Sequence, residues 1–243
     1  MKTVRIILRR ELASYFVTPI AYVVLIVFLL AMNWLGFWIG ALYEREQADM
    51  QPYFGLFPWT YLFLIPALSM RLWAEDRRNG SIELLLTQPV TLWQAVVGKF
   101  LAAWLVVGIA LVLTFPVWLT MNFLGNPDNG TILAAYIGSW VMAAGFLAIG
   151  SFTSSITKNQ LIAFLASLVI CFVLVVVGFP RVTDWIREHA SWLADGINSL
   201  SFYTHFMNIA KGVLDLRDLL FFALISIFFL LASTVVLDAR KSK

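Results

Sequence analysis

The sequence predicts an all-α integral membrane protein whose single domain contains six transmembrane helices. Hydrophobic residues make up 61% of the 243 positions and charged residues only 13%, whereas about a quarter of the residues in an ordinary soluble domain are charged. The mean hydropathy is +0.85. At roughly 20 residues a span, the chain suffices for about six spans and short connections. We therefore expect one membrane domain over residues 1–243.

A basic amphipathic helix is predicted over residues 3–17, ahead of the first span. One face of it is apolar and another carries Lys2, Arg5 and Arg9. Helices of this kind lie flat in the membrane surface.

Six apolar stretches are long enough to cross a membrane. They lie at about residues 20–42, 54–73, 97–123, 132–152, 160–179 and 218–237. The first is longer than the apolar part of a secretory signal and lacks a small-residue cleavage site, so it is predicted to be a retained span. Thr91 and Gln94 form a capping box at the opening of the third span.

The distribution of Lys and Arg predicts that both termini lie in the cytoplasm. Twelve basic residues fall on the side of the N-terminus, residues 74–96, residues 153–159 and the C-terminal tail, and five fall on the other side. Loops rich in Lys and Arg stay in the cytoplasm. Since these residues cluster beside apolar spans, topology and anionic lipid explain the net charge of +3 better than nucleic acid does.

A charged segment at residues 74–89 interrupts the apolar sequence on the predicted cytoplasmic side. Asn79–Gly80 ends the preceding helix, Ser81 can cap a short helix, and Glu83 lies in its first turn. Leu84–Leu86 give that helix an apolar surface before Pro89 ends it. Exposed apolar surfaces usually mark interfaces, so this helix is predicted to dock a partner. Packing beneath the membrane domain is an equal alternative.

Residues 180–217 are predicted to form short external helices that dip into the outer leaflet. Trp185 suits the boundary between headgroups and acyl chains, and Phe202, Phe206 and Ile209 give a second piece its apolar face. His205 has no Cys or His partner at metal-ligand spacing, so it is predicted to be an interfacial aromatic residue.

Catalytic and cofactor-binding patterns are missing. A phosphate-binding loop needs a glycine five positions before Gly98 and a hydroxyl residue after Lys99, but these positions hold Trp93 and Phe100. Few ionisable residues fall inside the spans, which disfavours an ion-coupled carrier. Cys171 is the lone cysteine, so no internal disulfide forms. We expect a non-enzymatic membrane subunit that binds no metal or cofactor itself.

The charged segment resembles the coupling helix of ABC-2 type transporter permeases. The matching residues are Glu75, Arg78, Gly80, Glu83, Leu84, Leu85, Thr87 and Pro89, followed by Gly98–Lys99. Arg10–Pro19 resembles the interfacial elbow helix of that family, and Ser201–Phe206 through Gly212, Asp215 and Asp218 resembles the segment that leads into its sixth span. The likeness covers essentially the whole chain and is strongest to the short permeases of gliding motility and nitrous oxide reductase maturation.

This resemblance implies one permease subunit of an ATP-driven exporter in a bacterial inner membrane. It would pair with a second permease copy or homologue, contact membrane lipids and bind two separate cytoplasmic ATPases, which hold the ATP and magnesium. The resemblance assigns ATPase coupling to Glu75, Arg78, Gly80, Ser81, Glu83, Leu84, Leu85, Thr87 and Pro89. It assigns the elbow to Arg9, Arg10, Glu11, Tyr15 and Phe16, and the external helices to Trp185, His205, Phe206, Gly212 and Asp215.

The substrate does not follow from the resemblance. An alternative function is an ATPase-coupled membrane scaffold that does mechanical work on an extracytoplasmic protein complex, with an extracytoplasmic auxiliary protein as a further partner. An ion-coupled carrier is a third possibility, and it would depend on no ATPase.

Overall fold

A computed structural model describes residues 2–40, 48–80, 90–189, 196 and 198–239. Within these residues the helices are α1 (Lys2–Val17), α2 (Pro19–Trp38), α3 (Gln51–Phe54), α4 (Phe57–Ser69), α5 (Arg71–Asn79), α6 (Leu92–Leu113), α7 (Phe115–Leu124), α8 (Asn129–Ile156), α9 (Gln160–Val176), α10 (Pro180–His189), α11 (Phe202–Ala210) and α12 (Leu216–Ala239).

Five helical segments in the described part of the chain are long and apolar enough to cross a membrane. They are Ala21–Trp38, Gln51–Asn79, Leu92–Leu124, Asn129–Ile156 and Leu216–Ala239. The pair α9 and α10 is bent by 72° and gives a sixth span when counted as one. The prediction of an all-α integral membrane protein is confirmed, and its count of six includes this bent pair.

Breaks within the spans occur at residues that interrupt helical hydrogen bonding. Thr114 separates α6 from α7, two residues before Pro116, and Pro180 opens α10 after the bend. Proline has no backbone N–H, so it cannot continue the ladder of the preceding helix but is well placed in a first turn. The third and fifth spans are therefore interrupted helices.

The third span begins earlier than its apolar sequence indicated. α6 starts at Leu92, and the Thr91 hydroxyl oxygen accepts a hydrogen bond from the Gln94 amide at 3.4 Å. The predicted Thr91 cap is confirmed, and the helix that it opens begins before the apolar stretch predicted from about residue 97. Lys99 consequently lies inside the helix, two turns from its beginning.

Helix α8 forms the centre of the bundle. It packs against α4, α5, α6, α9, α11 and α12. In the most apolar 18-residue stretch of α8, 72% of the residues are buried, compared with 28% in α2 and 22% in α12. Protein therefore surrounds α8, whereas most of the surface of α2 and α12 faces outward from the bundle.

Glycines on α8 let its neighbours approach closely. A Cβ atom at Gly138 would lie 2.6 Å from Ile209, one at Gly145 would lie 3.0 Å from the Phe202 ring, and one at Gly150 would lie 1.9 Å from the Ser69 hydroxyl oxygen. Helices inside a membrane have no hydrophobic driving force for association. Small residues stabilise their contacts because they allow close van der Waals packing.

Helix α11 lies inside the protein, which corrects the prediction that its apolar face dips into lipid. Phe202, Phe206 and Ile209 are fully buried, and the Phe202 ring lies 5.1 Å from that of Phe146 and 5.3 Å from that of Phe222. The space beside Gly138 and Gly145 receives this face. Helix α10 differs, because none of its residues is buried.

We expect Gly150→Ala to lower the free energy of unfolding by about 1–3 kcal/mol, because the new methyl group overlaps Ser69. Chemical unfolding of the purified protein in detergent measures this change. Gly55→Ala is the matched control, since its Cβ would lie 3.4 Å from the nearest atom. Adding Ser69→Gly should restore part of the loss. A Gly150→Ala variant as stable as the Gly55→Ala control would contradict close packing here.

Candidate functional site

A group of charged side chains, here called the charged cluster, joins three helices at one end of the bundle. It comprises Glu11 of α1, Arg71, Glu75 and Asp76 of α5, and Lys99 of α6. The Lys99 ammonium lies 2.8 Å from an Asp76 carboxylate oxygen and 3.3 Å from a Glu11 carboxylate oxygen. A polar cavity of about 230 Å³ lies among them, and it is also lined by Ser14, Tyr15, Thr18, Leu72 and Asn79.

Lys99 is the centre of this cluster. Only 5% of its side chain is exposed, and its ammonium nitrogen lies 5.3 Å from the centre of a Trp73 ring. A buried ammonium is costly unless it is paired, and removing one partner of such a pair destabilises a protein strongly. Glu11 and Asp76 therefore hold α1 and α5 against α6, and the Trp73 ring adds a cation–π contact.

Further contacts fix the cluster on both sides. Arg71 donates two hydrogen bonds to Glu75, at 2.7 and 2.8 Å, and Arg10 pairs with Glu11 at 2.8 Å. Burial raises the pKa of the Tyr15 phenol, and the nearby Glu11 carboxylate raises it further. Tyr15 therefore stays protonated at neutral pH between the carboxylates of α1 and α5.

Helix α5 is also anchored to the end of α8 by hydrogen bonds. The Ser154 hydroxyl accepts from the backbone N–H groups of Trp73 and Ala74, both at 3.0 Å, and donates to the Met70 carbonyl at 2.8 Å. The first N–H groups of a helix lack partners within it, so Ser154 acts as a cap supplied by another helix. Arg77 donates to the Ser155 carbonyl at 2.7 Å.

Helix α1 reaches the cluster by packing closely on α6. A Cβ atom at Gly98 would lie 2.8 Å from the Ile7 side chain, and Ile7 is the buried residue of α1. The glycine next to Lys99 thus allows the contact that brings Glu11 to the ammonium group.

The family resemblance assigned one set of residues to ATPase coupling and another to the elbow. The structure brings some members of the two sets together. Glu75, Glu11 and Tyr15 meet at the cavity. Arg9 is exposed, and the Phe16 ring packs against that of Tyr22, 5.9 Å away. The remaining coupling residues Ser81, Glu83, Leu84, Leu85, Thr87 and Pro89 lie outside the described residues.

Arg78 and Gly80 lie at the end of α5, away from the cavity. Arg78 borders a separate cleft beside Lys158. Gly80 ends the helix with a φ of +71°, a left-handed conformation that glycine adopts without a steric penalty.

Sequence reasoning missed Arg71, Asp76 and Lys99 as members of a site. It counted Arg71 and Lys99 among the basic residues of the cytoplasmic side, and it noted Lys99 otherwise only within the Gly98–Lys99 pair that follows the coupling segment. The available signal was the Thr91 cap, which places Lys99 within α6 and therefore among apolar neighbours.

A second polar contact, between His205 of α11 and Asp218 of α12, lies in the other part of the bundle. The two residues are 7% and 4% exposed, and His205 Nδ1 lies 2.5 Å from Asp218 Oδ1. The Phe221 ring stacks on the imidazole at 3.9 Å. The prediction that His205 is an interfacial aromatic residue is therefore wrong, because α11 is buried and its imidazole has protein partners.

The geometry of this pair requires a shared proton. His205 Nε2 lies 2.9 Å from the Ser199 carbonyl oxygen, which can only accept, so Nε2 carries hydrogen. At 2.5 Å, Nδ1 and Oδ1 also need one proton between them. The pair with that proton has no net charge, which is what a buried position favours. It ties α11 to α12.

The other residues assigned to the external helices lie apart from this pair. Trp185 is 61% exposed and stacks on His189. Gly212 has a φ of +90° and approaches Thr131 at the start of α8. Asp215 accepts a hydrogen bond from the Arg217 amide at 2.9 Å, at the exposed start of α12.

We expect His205→Phe and Asp218→Leu each to lower the free energy of unfolding by about 1–3 kcal/mol, because each leaves a buried polar partner unsatisfied. The double variant removes both partners, so its loss should be smaller than the sum by about 1 kcal/mol or more. A double-mutant cycle of unfolding in detergent measures this, with exposed Asp215→Asn as the control. Strictly additive losses would show that the pair does not interact.

Comparisons with known proteins agree with this architecture. The family described as ABC-2 family transporter protein matches residues 43–237. Over 80 residues the chain is 38% identical to heme exporter protein B of Paracoccus denitrificans (strain Pd 1222), a match that covers 32% of this chain and 37% of that protein. The family match spans most of the chain and nearly all of its candidate spans. This chain therefore belongs to the ABC-2 family of transporter proteins, as a multi-pass membrane permease subunit.

Proposed function

We propose that this subunit belongs to an ATP-driven exporter of a bacterial inner membrane. It pairs with a second permease, and two separate cytoplasmic ATPases dock on residues 81–88. Family membership supports the permease role. The charged cluster supports a role for residues 81–88 in coupling, because it joins the helices on either side of that docking segment.

The position of the cluster suits the transmission of force. Asp76 precedes residue 81 by five positions on α5, and Lys99 follows residue 89 by ten positions on α6. The ion pair between them, at 2.8 Å, joins α5 to α6 on either side of this segment. A push on residues 81–88 therefore acts on α5 and α6 together. The same force reaches α1 through the contact of Lys99 with Glu11, and it reaches α8 through the hydrogen bond of Ala74 to Ser154.

The proposed orientation places this end of the bundle in the cytoplasm. The described residues there include Arg71, Arg77, Arg78, Lys99 and Lys158, and the positive-inside rule assigns such a concentration to the cytoplasmic side. Both termini lie on that side as well.

The similarity to heme exporter protein B does not imply that this chain exports heme. That match covers 37% of the relative's length. Both ring nitrogens of His205 are also engaged, by Asp218 and by the Ser199 carbonyl, so this imidazole cannot ligate iron without breaking the pair.

We expect a stoichiometric ABC ATPase to co-purify with the tagged protein from native membranes in mild detergent, as mass spectrometry would show. Lys99→Met should lower the stability of the subunit, but the folded variant should still bind the ATPase, because residues 81–88 are unchanged. Its ATP hydrolysis should fall about tenfold or more, equivalent to ~1.4 kcal/mol. Exposed Lys211→Met is the control. Recovery without an ATPase, even under nucleotide trapping, would refute the proposal and favour an ion-coupled carrier. Full hydrolysis by a folded Lys99→Met complex would exclude the cluster from coupling.

The orientation predicts opposite labelling of two exposed positions. In right-side-out membrane vesicles, an impermeant maleimide should label Asn126→Cys directly and Asn79→Cys only after permeabilisation, since these residues lie at opposite ends of the bundle. The native Cys171 is buried and serves as the unlabelled background. Labelling of both cysteines from one face, or in the reverse order, would overturn the proposed topology.

A further inference from the structure

A second cavity opens at the same end of the bundle as the charged cluster, between the end of α5 and the start of α9. We name it the basic cleft. It has a volume of about 520 Å³ and is lined by Met70, Arg78, Lys158, Asn159, Gln160 and Leu161. Among the described residues, two cations and no carboxylate contribute to this lining.

The two cations of the basic cleft differ from the neighbouring arginines. Arg71 pairs with Glu75, and Arg77 donates to the Ser155 carbonyl. Arg78 and Lys158 are exposed, and neither takes part in the ion pairs formed among the described residues. Within the described part of the chain, the cleft therefore presents two positive charges without a paired carboxylate, which favours an anionic ligand.

The start of α9 adds to the positive potential. The Asn159 side-chain oxygen accepts from the Leu161 amide at 2.9 Å, and the other N–H groups of the first turn have no partner within the helix. The positive end of the helix dipole faces the same cleft.

An apolar stripe on α9 leads away from the basic cleft. Leu161, Leu165, Val169 and Val173 are all exposed and lie four residues apart, so they follow one face of the helix. Twelve residues at 1.5 Å each make this stripe about 18 Å long, somewhat more than half of a hydrocarbon core of roughly 30 Å. The cleft thus lies where such a stripe would meet the membrane surface.

We propose that the basic cleft binds the phosphate headgroup of an anionic phospholipid, with an acyl chain along the stripe of α9. The phosphate would contact Arg78 and Lys158. Basic pockets between transmembrane helices on the cytoplasmic side suit such headgroups. This inference rests on the proposed orientation, because anionic lipid attracts basic residues most strongly at the cytoplasmic leaflet.

Native mass spectrometry of the delipidated full-length protein, titrated with phosphatidylglycerol or phosphatidylcholine in detergent, tests the proposal. We expect Arg78→Gln/Lys158→Gln to weaken phosphatidylglycerol binding by about 25-fold, or fivefold for each cation, equivalent to ~1 kcal/mol each. Phosphatidylcholine binding should change little. The matched control, Arg187→Gln/Lys211→Gln, removes two exposed charges outside the cleft and should leave phosphatidylglycerol binding unchanged. The charge-keeping Arg78→Lys variant should retain most of the affinity.

Three outcomes would overturn the lipid assignment. One is equal phosphatidylglycerol binding by the cleft variant and the control. Another is competition by inorganic phosphate at the same concentration as the lipid, which would identify a free phosphate site. The third is loss of the co-purifying ATPase from the cleft variant with lipid binding unchanged, which would assign Arg78 and Lys158 to a protein interface. Because lipid binding is measured without an ATPase, its failure leaves the exporter proposal standing, and the cysteine labelling tests the orientation separately.

Discussion

The close approach of helices to α8 is the constraint on which the rest of this structure depends. Between apolar helices in a membrane, packing and hydrogen bonds replace the hydrophobic driving force. Gly138, Gly145 and Gly150 remove the side chains that would keep α11 and α4 at a distance. Ser151 and Ser154 then place hydroxyl groups within hydrogen-bonding distance of α5. One helix surface thereby positions both the buried α11 and the start of α5.

The charged cluster adds a specific fixed point to this nonspecific packing. Apolar contacts alone would allow α1 and α6 to slide, but a buried ammonium has few positions in which it meets two carboxylates. Lys99 satisfies this requirement with Glu11 and Asp76. Because Lys99 and its two partners come from three helices, movement of any one helix breaks an ion pair or carries the others with it. The cluster is therefore suited to join the helices mechanically.

Local patterns in the sequence predicted the class of fold, the helical spans and the Thr91 cap, since each depends on residues within one helix. They failed where the outcome depends on contacts between distant segments. The apolar face of α11 has the pattern of a surface helix, and only the glycines of α8 make room to bury it. Likewise, His205 and Asp218 are thirteen residues apart, and nothing in that spacing indicates that a bend brings them together. Lys99 follows the ordinary pattern of a basic residue near a span end, which conceals its burial.

Helix α8 connects the two polar sites physically. Its C-terminal end holds α5 through Ser154 and Ser155, and its middle and N-terminal parts contact α11 beside Gly145 and Gly138. A close-packed interior transmits displacement because its contacts leave little free volume. A rigid shift of α8 that follows α5 would therefore press on α11, whose only described polar tie to α12 is the proton-sharing pair of His205 and Asp218. The helices that carry the charged cluster and the pair of His205 and Asp218 thus contact different parts of α8.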